Sequence, residues 1–449
     1  MKKLASLVIF AMVFYLFSCK NDVTDLTADN ALIESIKEHS KTGELDWYIM
    51  PSSTDYANLP NQDPKNPVTA AKVALGKMLF FETGIGLNPN KTVSLTTYSC
   101  SSCHVPEKSF TAGRFQGIAD GGVGFGVTGE GREKNAQYLG SEVDAQGARP
   151  LPMLNLTYVR NALWNGAFGS YGMNVGTDNA WGVTDPLTGI NKEGLEGLEA
   201  NNHRALITHR QVINKEVLDK LGYTPMFDEA FPNTHVNERY TLQIAANAIA
   251  AYFRTILTNE APFQKWLKGN SEAMTLQQKR GAQLFFGKAG CVNCHNSPSF
   301  NNQRFAALGV KNLFQSGHEV FRTDENDARN KGRGGFTLRD EDLYKFKVPQ
   351  LYNMKDVGFY FHGASKNSLR EVVEYFNLAI TENPDVPQDR IDPLFKPLGL
   401  TPSQVTDLTE FLENGLYDPN LLRYKPSFVM SGNCFPNNDT KSKLDMGCK

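Results

Sequence analysis

The sequence has no excess of charge of either sign. Its 46 Lys and Arg residues nearly cancel 48 Asp and Glu, for a formal net charge of -2. No tract of clustered Lys and Arg stands out, so the electrostatic footprint of a nucleic-acid binder is missing. Also missing is an apolar run of the ~20 residues that a transmembrane helix needs. The N-terminal run from Leu4 to Phe17 has fourteen residues and follows Lys2 and Lys3, the layout of an export-signal core. Low complexity is absent as well. A composition of 41% apolar and 21% charged residues excludes a disordered or collagen-like chain. With 449 residues, two or three domains of ~100–200 residues each are expected.

Cysteine is scarce, and its placement is informative. Of the seven, Cys19 closes the segment Leu16-Phe17-Ser18-Cys19, which is similar to a lipoprotein signal box. On that reading residues 1–18 are a removable signal, Cys19 is a lipid anchor and residues 19–58 are a polar tether. An ordinary cleaved signal with a stray Cys is the plainer alternative. The other six form the pairs Cys100/Cys103, Cys291/Cys294 and Cys434/Cys448. The first two pairs are each followed by a histidine, His104 and His295. C-x-x-C-H is the c-type haem attachment pattern: each thiol adds to a haem vinyl group, and the imidazole sits under the iron. Zinc ribbons space their pairs ~15–20 residues apart, whereas these lie 191 apart. A thioredoxin-like motif does not require the histidine. Two covalent haem c groups are therefore expected, and export suits them, because c-type maturation takes place outside the cytoplasm.

The neighbourhoods of the two motifs repeat. Each is preceded by G-x-x-L-F-F, at Gly76 to Phe81 and Gly281 to Phe286. Each is followed by S-F-x-x-x-R-F, at Ser109 to Phe115 and Ser299 to Phe305. Three matches in order predict a mainly α fold of two tandem cytochrome c-like domains, 59–235 and 236–425, with a tail at 426–449. Thr275 with Gln278 forms a capping box for a helix through Phe286. Another helix starts at Ser368 and runs to about Leu378. Thr401-Pro402 starts a third, which stops near Asn414-Gly415. A longer helix from about Glu238 to Leu257 is expected to link the halves. Gly124 to Gly129 makes a formal G-x-G-x-x-G, but with no strand before it or helix after it the match is accidental.

These motifs resemble the bacterial di-haem cytochrome c peroxidases, including the MauG-type enzymes, over about residues 60–420. Further carriers of the resemblance are Leu163-Trp164-Asn165-Gly166, Lys347-Val348-Pro349-Gln350-Leu351, Tyr360-Phe361-His362-Gly363 and the stretch Leu369 to Asn377. The resemblance implies a peroxidatic N-terminal haem and an electron-transferring C-terminal haem. It implies reduction of hydrogen peroxide to water by a cytochrome-c peroxidase, with electrons from a small cytochrome c or cupredoxin entering through the C-terminal haem. It places the protein in the periplasm or cell envelope, touching a membrane only through Cys19, and allows a homodimer. Trp164 takes the place of a tryptophan that relays electrons between the haems. A MauG-type oxidase acting on a partner protein, or a non-catalytic electron-transfer cytochrome, are the alternatives.

Several positions depart from that pattern. No histidine stands between Val105 and Asn202, where the family has a cap for the first iron. That haem is therefore expected to be open in the oxidised protein, unless His203 or His209 folds back over it. The family's catalytic glutamate has no clean counterpart, and Glu199 and His209 are the acid/base candidates. The sixth ligand of the second haem falls on Phe376, which has no ligating atom. Its neighbour Tyr375, and Met354, are the alternatives to a five-coordinate iron. Arg149 stands near the Asn of the family's interhaem calcium site, which leaves a calcium only carbonyls near Val357 and Phe359. In an oxidising compartment Cys434 and Cys448 are expected to form a disulfide.

Overall fold

The computed structural model describes residues 27–448; the expected signal and the lipid anchor at Cys19 lie outside them. Among the described residues no helix is long and apolar enough to cross a membrane. Helices dominate, and the strands are limited to two antiparallel ladders, Gly122–Val123 with Glu133–Lys134 and Phe305–Ala306 with Phe346–Lys347.

Each half is built on a crossing of two helices, and a glycine makes each crossing. In the first half the Ala70–Phe81 helix packs on the Leu242–Thr255 helix. A Cβ on Gly76 would lie 1.9 Å from the carbonyl oxygen of Ala248. In the second half the Leu276–Phe286 helix packs on the Pro402–Glu410 helix, and a Cβ on Gly281 would lie 2.1 Å from the carbonyl oxygen of Asp407. The repeated glycine thus lets the backbones touch, and the following Leu-Phe-Phe enters the core. Phe80, Phe81, Phe110 and Phe253 anchor the first core; Phe285, Phe286, Phe300 and Phe411 anchor the second. A third helix completes each half, Gly197–Thr208 in the first and Leu369–Leu378 in the second. The caps at Thr275, Ser368 and Thr401 accept the expected backbone amides.

Three boundaries differ from the sequence expectation. The expected linking helix begins only at Leu242, where the Thr241 hydroxyl accepts the amide of Ile244. Its apolar face, with Ala245, Ile249 and Phe253, packs into the first core. The expected tether is largely folded. Residues 27–39 are helical, and Leu32, Ile36, Tyr48 and Met50 are buried in the second core. Trp266 Nε1 donates to Asp29 at 2.7 Å, and Tyr48 donates to Asn296 at 2.8 Å. Third, the first core draws on residues far beyond its expected end at 235. Leu421, Tyr424 and Val429 lie within it.

The tail forms the Cys434–Cys448 disulfide and lies across the first C-x-x-C-H segment. Ser99 and Ser102 donate to the carbonyl of Pro436 at 3.0 and 3.2 Å. The tail also fills the glycine loop: Asp445 accepts the amides of Phe125 and Gly126, and Asp439 accepts that of Gly124. The formal G-x-G-x-x-G is therefore a loop satisfied by the chain's own carboxylates.

Alanine ordinarily favours a helix over glycine by about 1 kcal/mol. Gly281→Ala should do the reverse and destabilise the protein by about 3 kcal/mol, because backbone cannot yield to the added methyl. Thermal unfolding with a raised midpoint would contradict this reading of the crossing.

Candidate functional site

Each C-x-x-C-H segment opens as a tight 3-10 turn, Cys100–Ser102 and Cys291–Asn293. The following histidine is held identically in both. His104 Nδ1 lies 2.9 Å from the carbonyl of Phe110, and His295 Nδ1 lies 2.7 Å from that of Phe300. A carbonyl only accepts, so Nδ1 carries the proton and Nε2 keeps its lone pair. Burial pushes both imidazoles down to about 4, which keeps them neutral near pH 7. Phe110 and Phe300 both sit at positive φ, a strained setting that their burial in the two cores sustains. No disulfide joins these four cysteines. Burial raises Cys100, Cys103 and Cys291 to about 12 and raises Cys294 as well.

A cavity of about 440 Å³ opens on the second motif. Cys291, Cys294 and His295 line it, with Phe285, Phe361 and Phe376 as apolar wall. Two cysteines, an imidazole held through Nδ1 and an aromatic slot fit a large flat cofactor tethered at two points and ligated at its metal. At the surface the cavity reaches Leu394 and Lys396; inward it reaches Trp164, Arg149, Lys347 and His362.

That inner end is a junction in which the halves answer each other. The Arg149 amide donates to the carbonyl of His362 at 2.8 Å, and the Lys347 amide donates to the carbonyl of Trp164 at 2.8 Å. The two bonds are equivalent. Ala162 bridges Phe168 as Tyr360 bridges Lys366. Leu163 and Phe361 both take positive φ, as do Asn155 and Asn353. Arg149 thus corresponds to Lys347, and Trp164 to His362. The two rings meet edge to face with centroids 6.2 Å apart. Trp164 Nε1 donates to the Arg149 carbonyl at 2.7 Å. His362 stacks on Phe346 at 3.5 Å, and its Nε2 is 3.0 Å from Asn312 Oδ1. His362 was not among the candidates from sequence; its sequence match to Trp164 is too weak to see without the backbone.

The model for di-haem cytochrome c peroxidases matches residues 70–272. Cytochrome-c peroxidase IdrP1 of Denitromonas iodatirespirans is 30% identical over 370 residues, covering 78% of this chain and 82% of that protein. The chain belongs to the di-haem cytochrome c peroxidase family. Methylamine utilization protein MauG of Methylorubrum extorquens is 28% identical over 356 residues, covering 79% of this chain and 80% of that protein. Among solved structures, a MauG-like protein associated with microbial copper homeostasis shares the fold, with a TM-score of 0.56 at 22% identity over 83% of this chain and 96% of that one. Membership implies haem cofactors, and the relatives named cytochrome-c peroxidase place the chain among oxidoreductases that act on peroxide.

The departures from the family pattern now have positions. Tyr375 is turned away from the cavity and donates to the Leu308 carbonyl at 2.6 Å; its neighbour Phe376 lines the wall instead. Met354 does line the cavity. Arg149 occupies the ground left to calcium. Its guanidinium donates to the carbonyls of Val357 at 2.6 Å, Arg114 at 2.5 Å and Ala112 at 3.2 Å, and it lies over the Phe359 ring. The guanidinium thus takes up the Val357 carbonyl expected near that site.

The two acid/base candidates separate sharply. Glu199 is fully buried, and Arg254 grips both its oxygens at 2.6 and 2.9 Å, with Asn66 on Oε1 at 2.8 Å. These bonds commit the carboxylate to the packing of its helix on the Leu242–Thr255 helix. His209 is partly exposed, and its Nδ1 meets Asp144 Oδ2 at 2.7 Å. Burial would raise Asp144, but the His209 and Arg210 charges outweigh it and hold the carboxyl low. His209 also adds to the depression of His104, so it lies near the first motif. His203, on the same helix, titrates low through burial and engages Gln243 instead.

Glu199→Gln leaves the Arg254 guanidinium buried without its counter-charge. It should cost about 3–5 kcal/mol of stability while sparing the turnover of the protein that folds. A stable variant with lost turnover would return Glu199 to the chemistry.

Proposed function

We propose that this protein is a di-haem cytochrome c peroxidase that reduces hydrogen peroxide to water with electrons from a small redox protein. The observation that carries the reading is the junction, which links the cavity of the second motif to the loop after the first through Trp164 and His362. Haem, when bound, supplies one-electron redox at each iron and a coordination position for peroxide. Cys100/Cys103 and Cys291/Cys294 would tether the two groups, with His104 and His295 presenting Nε2 to the irons. Met354 is the sixth-ligand candidate that faces the second site.

The residues divide the remaining work. The donor, a cytochrome c or cupredoxin, would dock where Leu394 and Lys396 bring the second site to the surface. Trp164, fixed by its indole bond to Arg149 and its carbonyl bond to Lys347, carries electrons across the junction. Conversion of peroxide to two waters also consumes two protons. His209 would deliver them from Nε2, since Asp144 holds Nδ1 and sets the ring. The signal and Cys19 would place the protein in the periplasm or envelope, and a homodimer is compatible with this reading.

The test is turnover. The purified protein with two haems per chain should consume peroxide with a reduced small cytochrome. Trp164→Phe should slow this strongly without loss of haem, and His209→Asn should slow it about 10²–10⁴-fold, the range for general acid–base groups. Absence of turnover in the wild type would overturn the peroxidase reading and favour the MauG-type oxidase.

Access to the first iron is a separate matter. No imidazole from residues 105–202 can block it. The resting ferric protein should therefore show high-spin haem and bind cyanide without prior reduction. A wholly low-spin spectrum would instead point to His209 or His203 as the capping ligand.

A further inference from the structure

Lys347 is in an unusual position. Its residue is 8% exposed, and its Nζ has no hydrogen-bond partner. It lines the same cavity as Cys291, Cys294 and His295. Burial, and after it the like charge of Arg333, pushes the ammonium down to about 7. Arg333 is itself committed to the carbonyls of Asn165 and Met173 and to Asn174. Leaving a buried cation without a partner is costly. The internal repeat sharpens the point. Arg149 occupies the equivalent place, and both terminal nitrogens of its guanidinium donate to carbonyls of the chain, only Nε being left over. Lys347 has no such set. Its partner must come from whatever fills the cavity.

We infer that Lys347 binds a carboxylate of the haem held by His295, and so acts as a positioning residue that sets the potential of that haem. This deepens the proposed function, because it takes haem as the occupant of the cavity. The anionic groups that haem brings are its two carboxylates, and an ammonium in a desolvated wall forms a strong charge-assisted bond with one of them. A fixed positive charge near the iron favours the reduced state, which carries one positive charge fewer. Lys347 also holds the Trp164 carbonyl through its backbone. The residue that seats the cofactor thus also seats the relay.

The experiment uses the full-length, haem-loaded protein and spectro-electrochemical titration. Lys347→Met and Lys347→Gln should keep two haems per chain by pyridine haemochrome. Each should reduce the C-terminal haem with an equilibrium constant about tenfold lower than the wild type, whereas Lys347→Arg should stay close to it. Redox-difference infrared bands that move on ¹³C labelling of the haem carboxylates should shift in the neutral variants. An unchanged potential with unchanged carboxylate bands in either loaded neutral variant would overturn the assignment. A wild-type protein with fewer than two haems would instead overturn the haem reading on which it rests.

Discussion

Two backbone hydrogen bonds tie the molecule together at its centre, one from Arg149 to His362 and one from Lys347 to Trp164. Each crosses from one half to the other, and each uses the carbonyl beside an aromatic ring. They are bonds that any side chain permits, so they fix geometry without fixing chemistry. A repeated unit that docks on its own copy through main-chain atoms holds two sites at a set separation and orientation. The side chains at the seam are then free to diverge.

Divergence at that seam is what gives the halves different chemistry. One half offers an indole, the other an imidazole. One offers a guanidinium locked by carbonyls, the other an ammonium left facing a cavity. Neutral histidines with a free Nε2 are common to both sites, so the first coordination partner does not distinguish them. Surroundings do. The second site is walled by Phe285, Phe361 and Phe376, whereas the first has the Asp144–His209 pair nearby.

Much of this was legible in the residues. Three helix caps and the tail disulfide are local signals, set by side chains close in sequence, and are found in the fold; the two C-x-x-C-H segments and the G-x-x-L-F-F frame take matching local structure. The reason for the repeated glycine was not legible, because the backbone it meets lies more than a hundred residues away. Nor was the burial of the segment that looked like a tether. Leu32 and Ile36 are four apart and could mark a helix stripe, but nothing local says what they pack against. The Glu199–Arg254 ion pair was equally hidden, because the two residues lie in different helices. The Arg149–Lys347 correspondence escaped notice because the repeat survives there in backbone conformation and scarcely in residue identity.

The chain ends are stitched crosswise. The segment ahead of the first half packs into the second core, and the segment behind the second half packs into the first. Neither half can therefore complete its core from its own contiguous stretch of sequence. The first half cannot close its core until Leu421 to Val429 are in place, and the strap over Ser99 and Ser102 comes from residues beyond those. Until that strap is laid, the first C-x-x-C-H segment stays uncovered, open to whatever machinery loads it. Unfolding should share this property: the two halves come apart as one cooperative unit, since releasing either core withdraws a terminus from the other.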